Sequence, residues 1–364
     1  MYTSKSRRAQ MIFWLSAMAC ATILGGCIPH ELIIPTSQNP SNGLVLYDWS
    51  DDLPASVITQ FEQQYSIDVQ VITFESMEEG VLNIRNGLSY DVAVVESDFV
   101  PGLVEQGLLM EMDKHLIPNF TYISPHFRDL LFDPDNRFSV PYGWGGTGLL
   151  VKTEYSPLSV DEWADLWSPE LAGRIVVREQ PVELISVALL ALGYPLNSED
   201  PAHLAAAGES LRQLKGSVIV AETESVGAVS DFISSDAVVM IAWGEDAMQA
   251  AELDPSISFI IPLEGAMIWS DNYVISASSQ HHENAHRFIN FLLEPEISAQ
   301  IANEKYFAVA NEGAYRYILP EVLNNPAVFI TETDLARSNW YMPLSAQGEA
   351  AYTQVWEEFV KGTD

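Results

Sequence analysis

Three short stretches place a tryptophan within three residues of a carboxylate: Trp49 with Asp51, Trp243 with Asp246, and Trp269 with Asp271. A carboxylate holds a cation through charge-assisted hydrogen bonds worth about 1.5–3 kcal/mol each. The face of an indole attracts the same charge by roughly 0.5–2 kcal/mol when well placed. Together they suit an organic cation, the acids taking its nitrogens and the rings covering its carbon. One such pair means little, because Trp usually packs and a loop Asp usually caps a helix or stays solvated. Three pairs on loops that converge point to a binding site.

The surrounding pattern says how such groups would be positioned. Residues 44–49 (LVLYDW) read as a buried strand opening into a loop, and 53–65 carry helical spacing at Leu53, Val57, Ile58 and Phe61. Residues 67–74 alternate as a strand, 78–85 suit a helix ending near Gly87, 91–95 (DVAVV) form a third strand, and 99–109 an apolar helix. This order gives a parallel sheet with right-handed crossovers, on which ligands sit beyond the strand C-termini. Those ends are Trp49-Ser50-Asp51-Asp52 and Glu96-Ser97-Asp98. In the second half, strands over 174–177, 218–221 and 238–243 each lead into a helix, and their ends bring Glu183, Glu224, Ser225, Trp243 and Asp246.

Between the halves, 141–147 (PYGWGGT) is a glycine-rich passage into an apolar strand at 148–151. Residues 266–277 return as a strand with Trp269 and Asp271 in its middle. Two such crossings make a hinge. The expected fold class is α/β, with two lobes built from discontinuous domains and a cleft between them. The first lobe takes 44–142 and 271–315, the second 143–270, and helices within 316–364 brace both.

Fifty acidic residues against 17 basic ones give a formal charge of −33. That excludes nucleic acid as a partner, since phosphate binding needs clustered Lys and Arg. Most of the acidity serves solubility, because one small cation site needs only a few carboxylates. With 9 Trp, 14 Tyr and 15 Phe in 364 residues, the chain is globular and long enough for two cores. At the N-terminus Lys5, Arg7 and Arg8 precede an apolar run, 11–23, too short to cross a bilayer comfortably. Leu24-Gly25-Gly26-Cys27 follows and resembles the bacterial lipobox. That implies a signal peptide over 1–26, acylation of Cys27 and a lipid-anchored tether over 27–43. Cys20 would leave with the signal, so no disulfide is expected. No later segment is apolar for 18 residues, and the expectation is a protein anchored to a membrane rather than spanning it.

His282-Glu283-Asn284-Ala285-His286 has the H-E-x-x-H spacing of a zinc peptidase. The run opens a helix whose apolar face begins only at Phe288, so a solvated first turn is expected, without metal. There is no G-x-S-x-G, P-loop or strand-borne G-x-G-x-x-G, and neither an enzyme nor a cofactor is expected.

The motifs LYDWSDDLP, DVAVV, FDPDNRFSVPYGWGGTG, WADLWSPELAGRI, VVMIAW, LEGAMIWSD, INFLLEPEISAQIA and YFAVAN resemble those of the bacterial polyamine-binding (spermidine/putrescine) proteins of ABC transporters. These are periplasmic binding proteins of the two-lobed type II class, and the likeness covers nearly all of 44–362. It implies ligand contacts from Trp49, Ser50, Asp51 and Asp98 in the first lobe and from Glu183, Ser225, Trp243 and Asp246 in the second. Trp269 and Asp271 join them on the return crossing, with Phe307 and Tyr341 as late contacts.

Several positions depart from that pattern. Asp98 stands where members often have Tyr or Ser, Phe307 where Tyr is usual, Tyr341 where spermidine-type members have Gln, and Gln180 where those have an acid. The acids together look like the putrescine pattern and Trp269 like the spermidine one. The function implied is that of a monomeric periplasmic lipoprotein delivering a polyamine to an ABC transporter permease, with a membrane sensor as the alternative partner. Ferric iron would call for adjacent tyrosines, which Tyr142 and Tyr306 are not in sequence.

Overall fold

The computed structural model describes residues 43–50, 52–221 and 225–361. Cys27 with its leader and tether, Asp51, Glu224 and the side chain of Ser225 lie outside the described residues. Strand β1 (Gly43–Trp49) is buried up to its last residue and pairs in parallel with β2 (Asp68–Phe74) and β3 (Val92–Glu96). Helices α1 (Ala55–Tyr65), α2 (Met77–Arg85) and α3 (Val100–Glu105) connect and follow them. The helix expected over 99–109 is only six residues long. It ends because Gly107 adopts a left-handed φ of 68°, which a glycine takes without strain.

The glycine-rich passage is strand rather than loop. Strand β4 (Ser139–Lys152) runs buried for 14 residues, with its pairing irregular between Pro141 and Trp144. Proline lacks a ladder donor and is tolerated at such an irregularity. Its glycines serve close approach: a Cβ on Gly145 would lie 2.3 Å from the Trp269 ring.

The second half holds β5 (Ile175–Arg178), β6 (Val218–Ala221) and β7 (Val239–Ala242), with β5 parallel to both others. Its helices are α4 (Pro181–Ala191), α5 (Pro201–Leu214), α6 (Ser225–Ser234) and α7 (Gly244–Leu253). Strand β8 (Ile257–Ile260) pairs with β4, and β9 (Met267–Ile275) returns antiparallel to both β3 and β4. Helices α8 (His282–Leu292) and α9 (Pro295–Lys305) and the short strands β10 (Ala308–Val309) and β11 (Asn339–Trp340) follow. Among the described residues the strands join one mixed sheet whose main path runs β2-β1-β3-β9-β4-β7-β5-β6.

The apolar packing divides where the sheet does not. In the first half, Phe61, Phe288 and Ile301 build a core on one face, and Val81, Val100 and Leu103 on the other. In the second, Leu184, Leu211, Tyr352 and Phe359 lie on one face, and Val229, Phe232 and Ala250 on the other. The chain after residue 316 touches both halves. Val322, Val328 and Phe329 enter a core of the first, while Tyr352 and Phe359 on the last long helix, Ala346–Lys361, enter one of the second.

His286 departs from its expected exposure. It is 1% exposed, its Nε2 accepts the Asp113 N–H at 2.9 Å, and its Nδ1 bonds the His282 carbonyl at 2.7 Å. Both ring nitrogens are used structurally, and only His282 and Glu283 face solvent.

Gly244, at the start of α7, meets the chain at Ala327 so closely that a Cβ would lie 2.1 Å from the Ala327 carbonyl oxygen. Backbone cannot yield as a side chain tip can. Gly244→Ala is expected to destabilise the fold by about 1–3 kcal/mol, seen as a lower urea midpoint at unchanged slope.

Candidate functional site

The carboxyl ends of β1 and β3 and the middle of β9 meet at one crevice. Glu96, the last residue of β3, stands opposite Asp271 in the antiparallel register with β9. Trp269 lies two residues earlier, on the same face because side chains alternate along a strand, and its ring covers Gly145. Trp49 packs on Phe74 with ring centroids 4.7 Å apart, and its indole lies close enough to Asp271 to oppose the rise of that carboxyl. Phe307, which follows α9, lines the same wall as Trp269, Gly145 and Glu245.

The second half contributes a hydrogen-bonded pair. Glu183, in the first turn of α4, accepts the Trp243 indole N–H at 2.8 Å and the Thr147 hydroxyl at 3.0 Å through one oxygen. Tyr341 is tied to β9 by its N–H on the Ile268 carbonyl at 2.9 Å. Its hydroxyl reaches the Met267 sulfur at 3.4 Å, and the charges of Glu183, Asp98 and Glu96 all act on it after burial has pushed it upward.

The carboxylates in this crevice share an electrostatic problem. Burial, then Asp98 and Asp271, push Glu96 well above the ordinary range. Burial, then Asp52 and Glu245, do the same to Asp271. Burial, then Asp52, raises Asp48, which is 1% exposed. Burial brings Asp98 to about 6 against opposing backbone N–H groups, and burial with the neighbouring Asp246 brings Glu245 to about 7. Glu183 is raised by burial, opposed by Arg178, Trp243 and Thr147. The Oδ1 of Asp271 is buried with no hydrogen-bond partner among the described residues. The arrangement is a concentration of negative charge and acceptor oxygens that a multivalent cation would satisfy.

Asp98, Glu183, Trp243, Trp269, Asp271, Phe307, Tyr341 and Trp49 are therefore brought together. Asp246 is not open to a ligand. It is 0% exposed, pairs with Arg178 at 2.5 Å and accepts the Trp243 N–H at 2.7 Å. The ordinary reading of a helix-start Asp, a cap, is the correct one there. Ser50 is exposed and donates to Glu75 at 2.6 Å. Asp52 and Glu96 stand at strand ends in the sequence but are not among the implied ligand contacts, and Glu245 and Asp48 emerge as crevice acids only in the structure. A strand-end acid is a recognisable signal, but which of two adjacent acids points inward is set by the helix start.

These upward shifts have a defined consequence. A carboxyl whose folded value lies above its unfolded one favours folding when protonated. That contribution is full below the ordinary carboxylate range and is lost as pH rises through about 6 for Asp98 and about 7 for Glu245. The ligand-free protein is expected to melt several degrees lower at about pH 8 than at about pH 5.5, and Asp98→Asn with Glu245→Gln should flatten that slope. Scanning calorimetry measures both; a melting temperature that climbed across this window would refute the assignment.

A family model described as bacterial extracellular solute-binding protein matches residues 89–330. The spermidine/putrescine-binding periplasmic protein of Escherichia coli is 28% identical over 325 residues, which cover 88% of this chain and 92% of that one. A putrescine/cadaverine-binding protein of Pseudomonas aeruginosa is 30% identical over 333 residues, 86% of this chain and 92% of its own. Among solved structures, the spermidine/putrescine transporter substrate-binding protein PotD of Streptococcus pneumoniae superposes with a TM-score of 0.80 at 27% identity, over 88% of this chain and 99% of that one. The PotD lipoprotein of Treponema pallidum gives 0.77 at 28%, over 87% and 98%. With this fold, this sheet and this coverage, the chain belongs to the bacterial extracellular solute-binding proteins, which hold a solute rather than convert it.

Proposed function

We propose that this protein is a periplasmic lipoprotein, anchored through Cys27, that holds a polyamine in the crevice and delivers it to the permease of an ABC transporter. The observation that carries this reading is the set of raised carboxyls, Glu96, Asp98, Asp271 and Glu245, gathered under Trp49, Trp269 and Tyr341. Arg178 acts on the second-half acids Asp246, Glu183 and Glu245. A flexible chain of ammonium groups and methylenes fits both kinds of surface. Each ammonium contact contributes about 1.5–3 kcal/mol and each well-placed ring about 0.5–2, which after ordering costs is consistent with micromolar binding, about −8 kcal/mol.

In this reading the lobes are 44–142 with 271–315 and 143–270, braced by 316–364, and the ligand favours their closed arrangement because only then do both touch it. Asp51, Ser50 and Ser225 join the contacts, whereas Asp246 acts through Arg178 and Trp243. The protein works as a monomer on the outer side of a membrane. No helix among the described residues is long and apolar enough to cross one. The curated relatives carry spermidine, putrescine, cadaverine or agmatine in their names, which supports the ligand class and leaves the chain length of the amine to measurement.

Titration calorimetry of the chain from residue 28 onward, with putrescine, cadaverine, spermidine, norspermidine and spermine, tests the proposal. One amine is expected to bind at micromolar concentration or tighter, and Asp271→Asn to weaken it by about tenfold or more. Because the cation binds ionised carboxylates, affinity should rise from about pH 6 to about pH 8, with protons released on binding near neutrality. Absence of heat with every amine would sink the ligand assignment and leave the family intact.

A further inference from the structure

Among the described residues, the non-glycine positions with a left-handed φ are Ser66, Asp129, Asp135, Asn136, Asn197 and Tyr306. All but Tyr306 carry a small polar side chain, the kind that tolerates this backbone best. Tyr306 holds a φ of 57° at the end of α9, where its N–H donates to the Ala302 carbonyl at 2.9 Å. The turn serves the chain beyond it. Phe307 follows and meets the Tyr142 ring edge-on at 5.4 Å, and β10 then pairs with β4. A glycine would make that turn with less strain, so the turn alone does not call for a tyrosine.

Core packing does not call for one either. Tyr306 is 41% exposed and enters none of the four apolar cores, although Ile301 and Ala302 on its helix lie within one of the first half. It lines instead a narrow gap whose walls also hold Trp269, Phe307, Gly244 and Glu245. Gly244 and Glu245 open α7, and Ala247 and Ala250 of that helix belong to a core of the second half. Tyr306 therefore stands where the two halves face each other, partly open to solvent and beside a crevice carboxyl. Strain that neither a turn nor a core explains is the kind kept for a functional site.

We propose that Tyr306 is a solute-retaining residue at the rim of the crevice, its ring covering the Glu245 side and slowing escape of the bound solute. The identity of the solute rests on the amine reading; the covering of the gap does not. An aromatic face is suited to such a place, since it attracts an ammonium group and excludes water from the pair beneath it. Retention of this kind acts on the dissociation rate more than on the association rate.

Putrescine, cadaverine, spermidine, norspermidine and spermine are the probes, with acrylamide as a reporter of the gap that needs no amine. Stopped-flow tryptophan fluorescence gives both rates for the amine that binds the chain from residue 28 onward most tightly. Tyr306→Gly is expected to raise its dissociation rate by about tenfold and to leave its association rate within about threefold. Because glycine relieves the turn, the melting temperature of that variant should equal or exceed the parent's. Tyr306→Phe should keep the slow dissociation of the parent. An unchanged dissociation rate in Tyr306→Gly overturns the inference. So does a fall of several degrees in its melting temperature, which would make the ring a packing group. Acrylamide should quench the amine-free Tyr306→Gly chain more strongly than the parent, and the difference should vanish when both carry Trp269→Phe. If no amine binds the parent, the amine reading alone fails, whereas equal quenching of the two chains overturns the covering role whether or not an amine binds.

Discussion

Carboxylates buried side by side repel one another and lose hydration at the same time, and that constraint organises this molecule. Two like charges 4 Å apart cost about 4 kcal/mol at an effective dielectric of 20, before either has been desolvated. Protonation relieves the repulsion, and the raised values of Glu96, Asp98, Asp271 and Glu245 record how far the chain leans on it. A bound cation relieves the same repulsion without giving up the charges. The scaffold tolerates that repulsion through its apolar cores, which lie on the two faces of each half and against which the crevice rings Trp49, Phe307 and Tyr341 pack.

The antiparallel pair β4 and β9 makes the tolerance possible. It joins two parallel strand sets into one sheet while letting the apolar cores form separately on either side. Glycines on β4 leave room for the crevice rings: a Cβ on Gly145 would lie 2.3 Å from the Trp269 ring, and one on Gly143 would come within 3.2 Å of Phe307. The same strand carries Thr147, whose hydroxyl orients Glu183. One strand thus sets the crevice rings Trp269 and Phe307 and a carboxylate of the second half.

Much of this was legible in the residues. Apolar runs ending in Trp and Asp gave β1, β3 and β7 and the crevice they open on, because buried strands have a composition that loops do not. Three failures have physical causes. The glycines of 143–146 read as a passage leading into a strand at 148, yet they already lie within the strand, where a Cβ would crowd neighbouring side chains. The helix after β3 stopped early at a left-handed glycine, where periodicity alone saw only apolar spacing. His286 reads as solvated because the apolar spacing of its helix begins only at Phe288, and the Asp113 segment that meets it lies 173 residues away.

Glu245 and Asp246 show why counting acids cannot define such a site. The two are adjacent at the start of α7, but the helix turns one into the crevice and the other inward, where it holds Arg178 and caps its own helix through the Trp243 N–H. That arrangement makes Asp246 a positioning residue. Arg178 lies under the Trp243 ring at 4.3 Å, and Trp243 in turn donates to Glu183. The Arg178 charge and the hydrogen bonds restrain the rise of Glu183, whereas burial and then the charges of Asp98 and Asp271 all push Glu96 upward. The counter-charge of Arg178 thus reaches Glu183 and Glu245 on the second-half side, while Glu96 and Asp271 opposite are raised by burial and by their acidic neighbours.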